Sequence, residues 1–262
     1  MSNKDSLGDR IKSQYEDRTR YFLPRRTYTI LRLDGKAFHT YTKGLERPFD
    51  KGLMEDMDNA IIAMLPQLQG VAFAYTQSDE ISILLTDFAT ENTDAWFDGN
   101  IQKITSVSAS IMTAEFNKLR WQRFIDKKSR NLLGAENTTA YFDCRTFTIP
   151  DRTEVMNYFR WRQQDCIRNS VSMVAQSNFS HKELHGKSQS DMHEMLHTKG
   201  INWATNFTDG EKNGRIILKE YKHEASELDK SKVLLRARWT VNGAWEFTKD
   251  EGKLLNIVPK YE

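Results

Sequence analysis

Residues 71–85 read VAFAYTQSDEISILL: two apolar runs, VAFAY and ISILL, with TQSDE between them. Two strand-forming runs joined by a short polar stretch predict a β-hairpin. Its tip carries Asp79 and Glu80, adjacent carboxylates set between segments whose composition sends them to the interior. Clustered carboxylates repel one another unless a proton or a cation intervenes. The tip therefore asks for a partner elsewhere in the chain.

Working outward, RTYTILRLDG at 26–35 alternates Tyr28, Ile30 and Arg32 against Thr29, Leu31 and Leu33, a strand that stops at Asp34 and Gly35. From Asp50 onward, Leu53, Met54, Met57, Ala60, Ile61, Met64 and Leu65 fall on one helical stripe, ended by Pro66. After the hairpin, Ile104, Val107, Ile111 and Met112 restore a helical period over 103–117. TAYFDCRTFTI at 139–149 is another strand, and Asp151 and Glu154 stand in capping-box spacing at the start of a further helix. The order β, α, β, β, α, β predicts an α+β, ferredoxin-like core over residues 26–150, an antiparallel sheet with helices on one face. The expected organisation is a core at 1–150, led in by a polar N-terminal helix, and a helical and hairpin region at 151–262 packed on it. In that second region, DGEKNGR precedes the strand IILKEY, and KVLLRARWTVNGAWEF reads as a terminal hairpin.

Composition removes several classes. The chain of 262 residues is 39% hydrophobic and 28% charged, ordinary for a globular protein of this size. It has no apolar run near the ~20 residues that span a bilayer, and its first residues lack a signal-peptide apolar region. Cys144 and Cys166 form no disulfide framework or four-ligand zinc spacing and read as small packing residues. A reduced, cytoplasmic setting without membrane contact is the expectation. With a net charge of +2, a polyanionic partner must be met by a local patch.

In a ferredoxin-like sheet the end of the first strand and the tip of the hairpin face one edge, bringing Asp34 to Asp79 and Glu80. Oxygen-only ligands suit Mg²⁺, which takes one or two carboxylates and completes its shell with water and phosphate. Two such ions can stabilise the attacking and leaving oxygens of phosphoryl transfer. The competing reading is plain turn chemistry at Asp34-Gly35 and Ser78-Asp79. Arg32, Lys36, His39, Lys43 and Arg47 lie nearby in sequence and together suit a triphosphate. KLRWQRFIDKKSR at 118–130 and NYFRWRQQDCIR at 157–168 interleave cations with aromatics, as RNA recognition does. For the first stretch, a solvated helix face explains the pattern equally well. HEMLH at 193–197 formally matches a zincin helix, without an evident third ligand.

Taken in order, LRLDGKAFH, YTQSDEISIL, FDCR, YFRWRQQDC and NGRIILKEY resemble the tRNA-His guanylyltransferase family and its guanylyltransferase-like branch, over about residues 26–222. That family consists of reverse, 3′-to-5′ polymerases built on a polymerase-like palm. The resemblance implies Asp34 and Asp79 as carboxylates for two Mg²⁺ ions, the Gly35 carbonyl assisting and Glu80 tuning or joining the site. It implies nucleotide contacts at Lys36, Phe38, His39, Arg47, Ser78 and Lys103. It also implies RNA contacts at Arg145, Arg162, Gln163, Asp165 and Asn169, ATP, GTP and other nucleoside triphosphates as substrates, and a homotetramer. Two departures matter. Ala37 replaces the Asn common in the guanylyltransferases, and DCIRNSVSM puts Ile167 and Ser170 where that branch has a His-Ile-Asn-Asn-like segment. The pattern resembles the like-proteins, so template-dependent repair of truncated tRNA 5′ ends is the favoured expectation. The alternative is addition of a guanosine before the first nucleotide of tRNA-His. A nucleotide cyclase, or an RNA-binding module without catalysis, completes the set of readings.

Overall fold

The computed structural model describes residues 6–127, 139–225 and 233–261. Its strands are β1 (Tyr28–Gly35), β2 (Val71–Gln77), β3 (Glu80–Leu85), β4 (Phe142–Ile149), β5 (Arg215–Ala225) and β6 (Val233–Gly243). They form one sheet in the order β4-β1-β3-β2-β5-β6, every neighbour antiparallel. The predicted β-α-β-β-α-β core is present, with α3 (Lys51–Met64) and α4 (Ile101–Lys127) as its helices. They follow α1 (Ser6–Ile11) and the single turn α2 (Phe38–Tyr41). The leading α1 buries no residue.

Alternation along β1 sorts its side chains between two cores. Leu31 and Leu33 join Met57, Ile61, Met64, Ile81, Ile83, Met112 and Phe116 beneath α3 and α4. Tyr28 and Ile30 join Phe73, Tyr75, Leu84, Val155 and Phe159 on the opposite face. That face is covered by α5 (Arg152–Asn178) and by the C-terminal segment through Ala244, Phe247 and Leu254, the last on α10 (Glu251–Ile257). Coverage on both faces explains why VAFAY and ISILL are continuous apolar runs: all six positions of β3 are buried. The C-terminal region thus completes the sandwich.

Local chemistry sets the helix ends that matter for the site. Asp50 caps α3 by accepting from Leu53 N–H at 2.7 Å, and Asp151 caps α5 by accepting from Thr153 and Glu154 N–H. Asp56, 2% exposed, accepts from Arg120 and Arg123 at 2.8–2.9 Å and clips α3 to α4. After α5 come α6 (His181–Leu184), α7 (Gln189–Thr198), α8 (Trp203–Asn206) and α9 (Asp209–Lys212).

The end of the chain departs from expectation in one respect. VLLRARW does not fold on the residues after it; as β6 it pairs with IILKEY in β5, from Arg215↔Gly243 to Ala225↔Val233. Only Arg215, Ile216 and Ile217 also pair with β2. The rest of this hairpin extends past the sheet. No helix among the described residues is long and apolar enough to cross a membrane.

Candidate active site

The hairpin turn is two residues long. Gln77 pairs with Glu80, leaving Ser78 and Asp79 as the turn, with Ser78 held at φ 49°. The β1–β3 register runs from Thr29↔Leu85 to Leu33↔Ile81, and its continuation sets Asp34 beside Glu80. Asp34 also faces Asp143 across the β1–β4 ladder. The turn and the end of β1 therefore meet at one edge of the sheet, as the sequence predicts. Asp34, Ser78 and Asp79 line a cavity of about 610 Å³ and a second of about 320 Å³ that shares the same wall.

Both carboxylates are held away from easy ionisation. Burial pushes the Asp79 carboxyl up to about 6; its own backbone N–H and the Ser78 hydroxyl restrain it, while Asp34 and Glu80 repel it. Asp34 is raised too, chiefly by burial, then by Glu80, with Arg32 opposing. A divalent cation between them would reverse both effects. The donor set fits Mg²⁺: two carboxylates and a neighbouring carbonyl at Gly35, all hard oxygens. Among the described residues no group of three His, Cys, Asp or Glu converges as a metal cage. Water and phosphate would therefore supply the remaining ligands. The same finding removes the support for a zinc centre at His193 and His197, which are exposed; His193 packs against Trp203 at 5.6 Å.

Glu80 differs from its neighbours. It is the first residue of β3 and not part of the turn, and it is 9% exposed. Arg32 donates to its Oε2 at 2.5 Å and 3.0 Å, and Arg162 Nη1 donates to both oxygens at 2.8 and 3.1 Å. Its carboxylate is committed to two guanidiniums, one of which stacks on Trp161 at 3.5 Å. That arrangement gives Glu80 the work of anchoring α5 to β1 and β3.

The other expected nucleotide contacts divide. Phe38, His39, Arg47 and Ser78 line the larger cavity, with Ala37, the departure from the family's Asn, beside them. Phe38 does so while buried in the aromatic cluster with Tyr41, Phe116 and Phe142. Gly35 is required by that packing, since an added Cβ would stand 2.2 Å from the Phe38 ring. Lys36 is exposed, its N–H donating to Tyr141 C=O. Lys103 is not brought to the site. Thr113 meets Phe142 at the carboxylate end, and Thr105 meets Thr146 farther along β4. Lys103 therefore lies roughly 15 Å up the α4 axis from Thr113, beside the Phe97 ring. Helical periodicity placed it on α4 but not on the near end of α4.

The α5 residues divide as well. Asp165 and Asn169 line the smaller cavity, joined by Ser172, Met173 and Gln176. Arg145 is exposed on β4 opposite Arg32. Arg162 is 3% exposed and Gln163 2% exposed, so neither presents its side chain to RNA. Gln163 donates to Asn213 and Trp245 C=O and accepts from Phe247 N–H, tying the C-terminal segment to α5. Ser170 accepts from the Trp203 indole N–H at 2.9 Å. Cys144 and Cys166 are buried and free, as expected of packing residues. Of the basic stretch 118–130, Trp121 is exposed, while Arg120 and Arg123 serve Asp56; residues 128–130 lie outside the described residues. Met173, Gln176 and Arg215 are cavity residues that sequence patterning did not single out. For the first two the signal was available, since Asn169, Met173 and Gln176 fall on one helical stripe.

Comparison with known proteins places the sequence and the fold among relatives. The family described as tRNAHis guanylyltransferase (Thg1) matches residues 8–150. A bacterial tRNA(His) guanylyltransferase (Thg1)-like protein, solved in complex with ATP, is 40% identical with a TM-score of 0.83, covering 97% of this chain and 99% of that one. A structure of a bacterial Thg1-like protein with GTP gives 38% identity, a TM-score of 0.78 and the same coverage. The tRNA(His) guanylyltransferase of Debaryomyces hansenii is 30% identical over 239 residues, 84% of this chain and 86% of the relative.

Proposed function

The chain belongs to the tRNA-His guanylyltransferase family of nucleotidyltransferases, and from that premise we propose that it extends truncated 5′ ends of tRNA or related RNA in the 3′-to-5′ direction, directed by the opposite strand. The observation that carries the reading is the convergence of Asp34 and Asp79 on a wall shared by two adjoining cavities. One cavity suits a nucleoside triphosphate and the other the RNA end. Identity to a like-protein (40%) above that to a named guanylyltransferase (30%) supports the repair branch, as does the replacement of the His-Ile-Asn-Asn-like segment around Ile167 and Ser170.

In this reading a 5′-monophosphate end is first joined to a nucleotide from ATP or GTP, releasing pyrophosphate. The 3′-hydroxyl of the incoming nucleotide then attacks that 5′ phosphate, a bond to the activating nucleotide breaks, and the monophosphate leaves. A 5′-triphosphate end needs no activation and loses pyrophosphate. Asp34, Asp79 and the Gly35 carbonyl would hold Mg²⁺, which supplies Lewis acidity at the hydroxyl and at the leaving phosphate. His39 and Arg47 line the cavity and position the triphosphate. Arg32 and Arg162 stay with Glu80 and keep α5 seated over the reacting groups. Assembly as a homotetramer belongs to the same reading and is measured by light scattering.

The test is extension of 5′-truncated tRNA with Mg²⁺, ATP and each nucleoside triphosphate. Growth that follows the opposite strand supports the proposal. Addition of a single guanosine to tRNA-His alone, whatever base lies opposite, would assign the protein to the guanylyltransferase branch that the curated relatives' names favour. No extension on any end would remove the function.

A further inference from the structure

Trp161 has no part in the reaction outlined above, yet it is a large aromatic side chain left 48% exposed on α5. The Arg162 guanidinium covers one face of its ring at 3.5 Å, and Tyr158 meets it in a T-shaped contact at 6.1 Å. Arg32 lies 5.9 Å from the same ring. Both guanidiniums are held by Glu80, so the indole rests on a fixed support. A ring covered on one face and half exposed offers its second face to solvent.

The ring stands next to the reacting centre. Arg32 precedes Asp34 by two residues on β1 and shares its face, about 7 Å away. Along α5, Asp165 follows Trp161 by four residues, about 6 Å, and lines the smaller cavity with Asp34 and Asp79. Opposite Arg32, the edge strand β4 presents Arg145 on the same face, exposed. Burial and Glu80 raise the Asp34 carboxyl, and Arg145 joins Arg32 in opposing them, which puts its cation within electrostatic reach of the site. An open aromatic face with a cation beside it, one turn from the cavity assigned to the RNA end, suits a base and its phosphate.

We infer that Trp161 is the stacking platform for an unpaired base of the template strand. A 5′-truncated RNA leaves its unpaired bases on the opposite strand, and only such bases have faces free to stack on a side chain. Every base has a π-face, so stacking holds a template nucleotide without reading its identity, as a strand copied in any sequence requires. Arg145 supplies the contact to the phosphate of that nucleotide, which favours RNA over a second copy of the chain as the occupant. The inference rests on the template-directed reading, and modified RNAs separate the two claims.

Binding of labelled 5′-truncated tRNA is measured by fluorescence anisotropy without nucleoside triphosphates, each unpaired base of the opposite strand being replaced in turn by an abasic site. One of these replacements weakens binding to the wild type about tenfold, and binding to Trp161→Leu less than twofold, because nothing stacks in that variant. Trp161→Leu binds the unmodified RNA about tenfold weaker than wild type, and Trp161→Tyr recovers most of the loss. A merely structural role for the ring would weaken Trp161→Leu yet leave its response to the abasic site intact. Abasic replacements that weaken wild type and Trp161→Leu equally, or weaken neither, overturn the role of Trp161. Repair then stands or falls separately, by extension of the unmodified RNA. If the wild type neither binds nor extends truncated RNA, both claims are overturned.

Discussion

Arg162 reaches across from α5 to donate to both oxygens of Glu80, at 3.1 and 2.8 Å, while Arg32 holds Oε2 from the neighbouring strand. The central carboxylate is almost sealed from water, and each guanidinium depends on it for neutralisation. Glu80→Ala therefore leaves two cations poorly paired and costs about 3–5 kcal/mol. Glu80→Gln keeps the shape and some hydrogen bonds and costs less. Urea denaturation of the two variants gives that order; equal stability of Glu80→Ala and wild type would remove the anchoring role.

Asp34→Asn and Asp79→Asn are each expected to abolish Mg²⁺-dependent nucleotide addition, by a thousandfold or more, with an unchanged circular dichroism spectrum. Single-turnover extension of truncated tRNA measures the loss. Activity within tenfold of wild type in either variant contradicts their assignment to the reacting centre.

The Asp79 carboxyl also predicts a pH signature. Its folded value, raised to about 6 from an ordinary 3.8, means that the native state retains a proton the unfolded chain has lost. This stabilising contribution is full below pH ~4 and is lost as pH rises through ~6. Without divalent cations, wild type should thus lose stability relative to Asp79→Asn between those values. Protons compete with metal for the same oxygens, so the Mg²⁺ needed for half-maximal binding rises up to about tenfold per unit below pH 6. A flat Mg²⁺ requirement from pH 5 to 8 argues against Asp79 as a ligand.

Gly35→Ala drives a methyl into the Phe38 ring and forces the aromatic cluster to move, at about 1–3 kcal/mol. The same displacement shifts Ala37 and His39 at the cavity, so nucleotide affinity falls with thermal stability. Unaltered affinity in a destabilised protein would separate the turn from the site.

Gln163 and Lys103 form a contrasting pair. Gln163→Ala strands two carbonyls and one N–H in the interior and costs upward of about 3 kcal/mol. Lys103→Ala changes GTP affinity less than twofold, because its cation stands at the far end of α4. Calorimetry and ligand titration on both variants check the two statements together.

These contrasts show where the sequence was legible. Period-2 and period-3.6 patterns in β1, α3, the hairpin and α4 each report a local face, and the ferredoxin-like order follows from them. Asp34 and Asp79 were findable because one lies near the end of β1 and the other in the turn that leads into β3, and these strands must be neighbours. Glu80 and Gln163 were named without the anchoring roles they have, and Arg215 was missed. What each does depends on a partner 48 to 157 positions away, and periodicity carries no information about which distant segment covers a face. Lys103 was expected from the resemblance; the period gave its helix, and the direction of α4 along the sheet decided its distance from the carboxylates.

The β1–β3 register has a consequence for how this chain tolerates length changes. Side chains alternate, so losing or gaining one residue within 28–35 would exchange Asp34 for a neighbour and turn its carboxylate toward the Met57 and Ile61 layer. Beyond Ile217, by contrast, β5 pairs only with β6. Paired additions to that outer hairpin lengthen an arm without altering the register at the carboxylates. Insertions should accumulate along that arm during divergence, while the stretch that ends at Asp34 keeps its length.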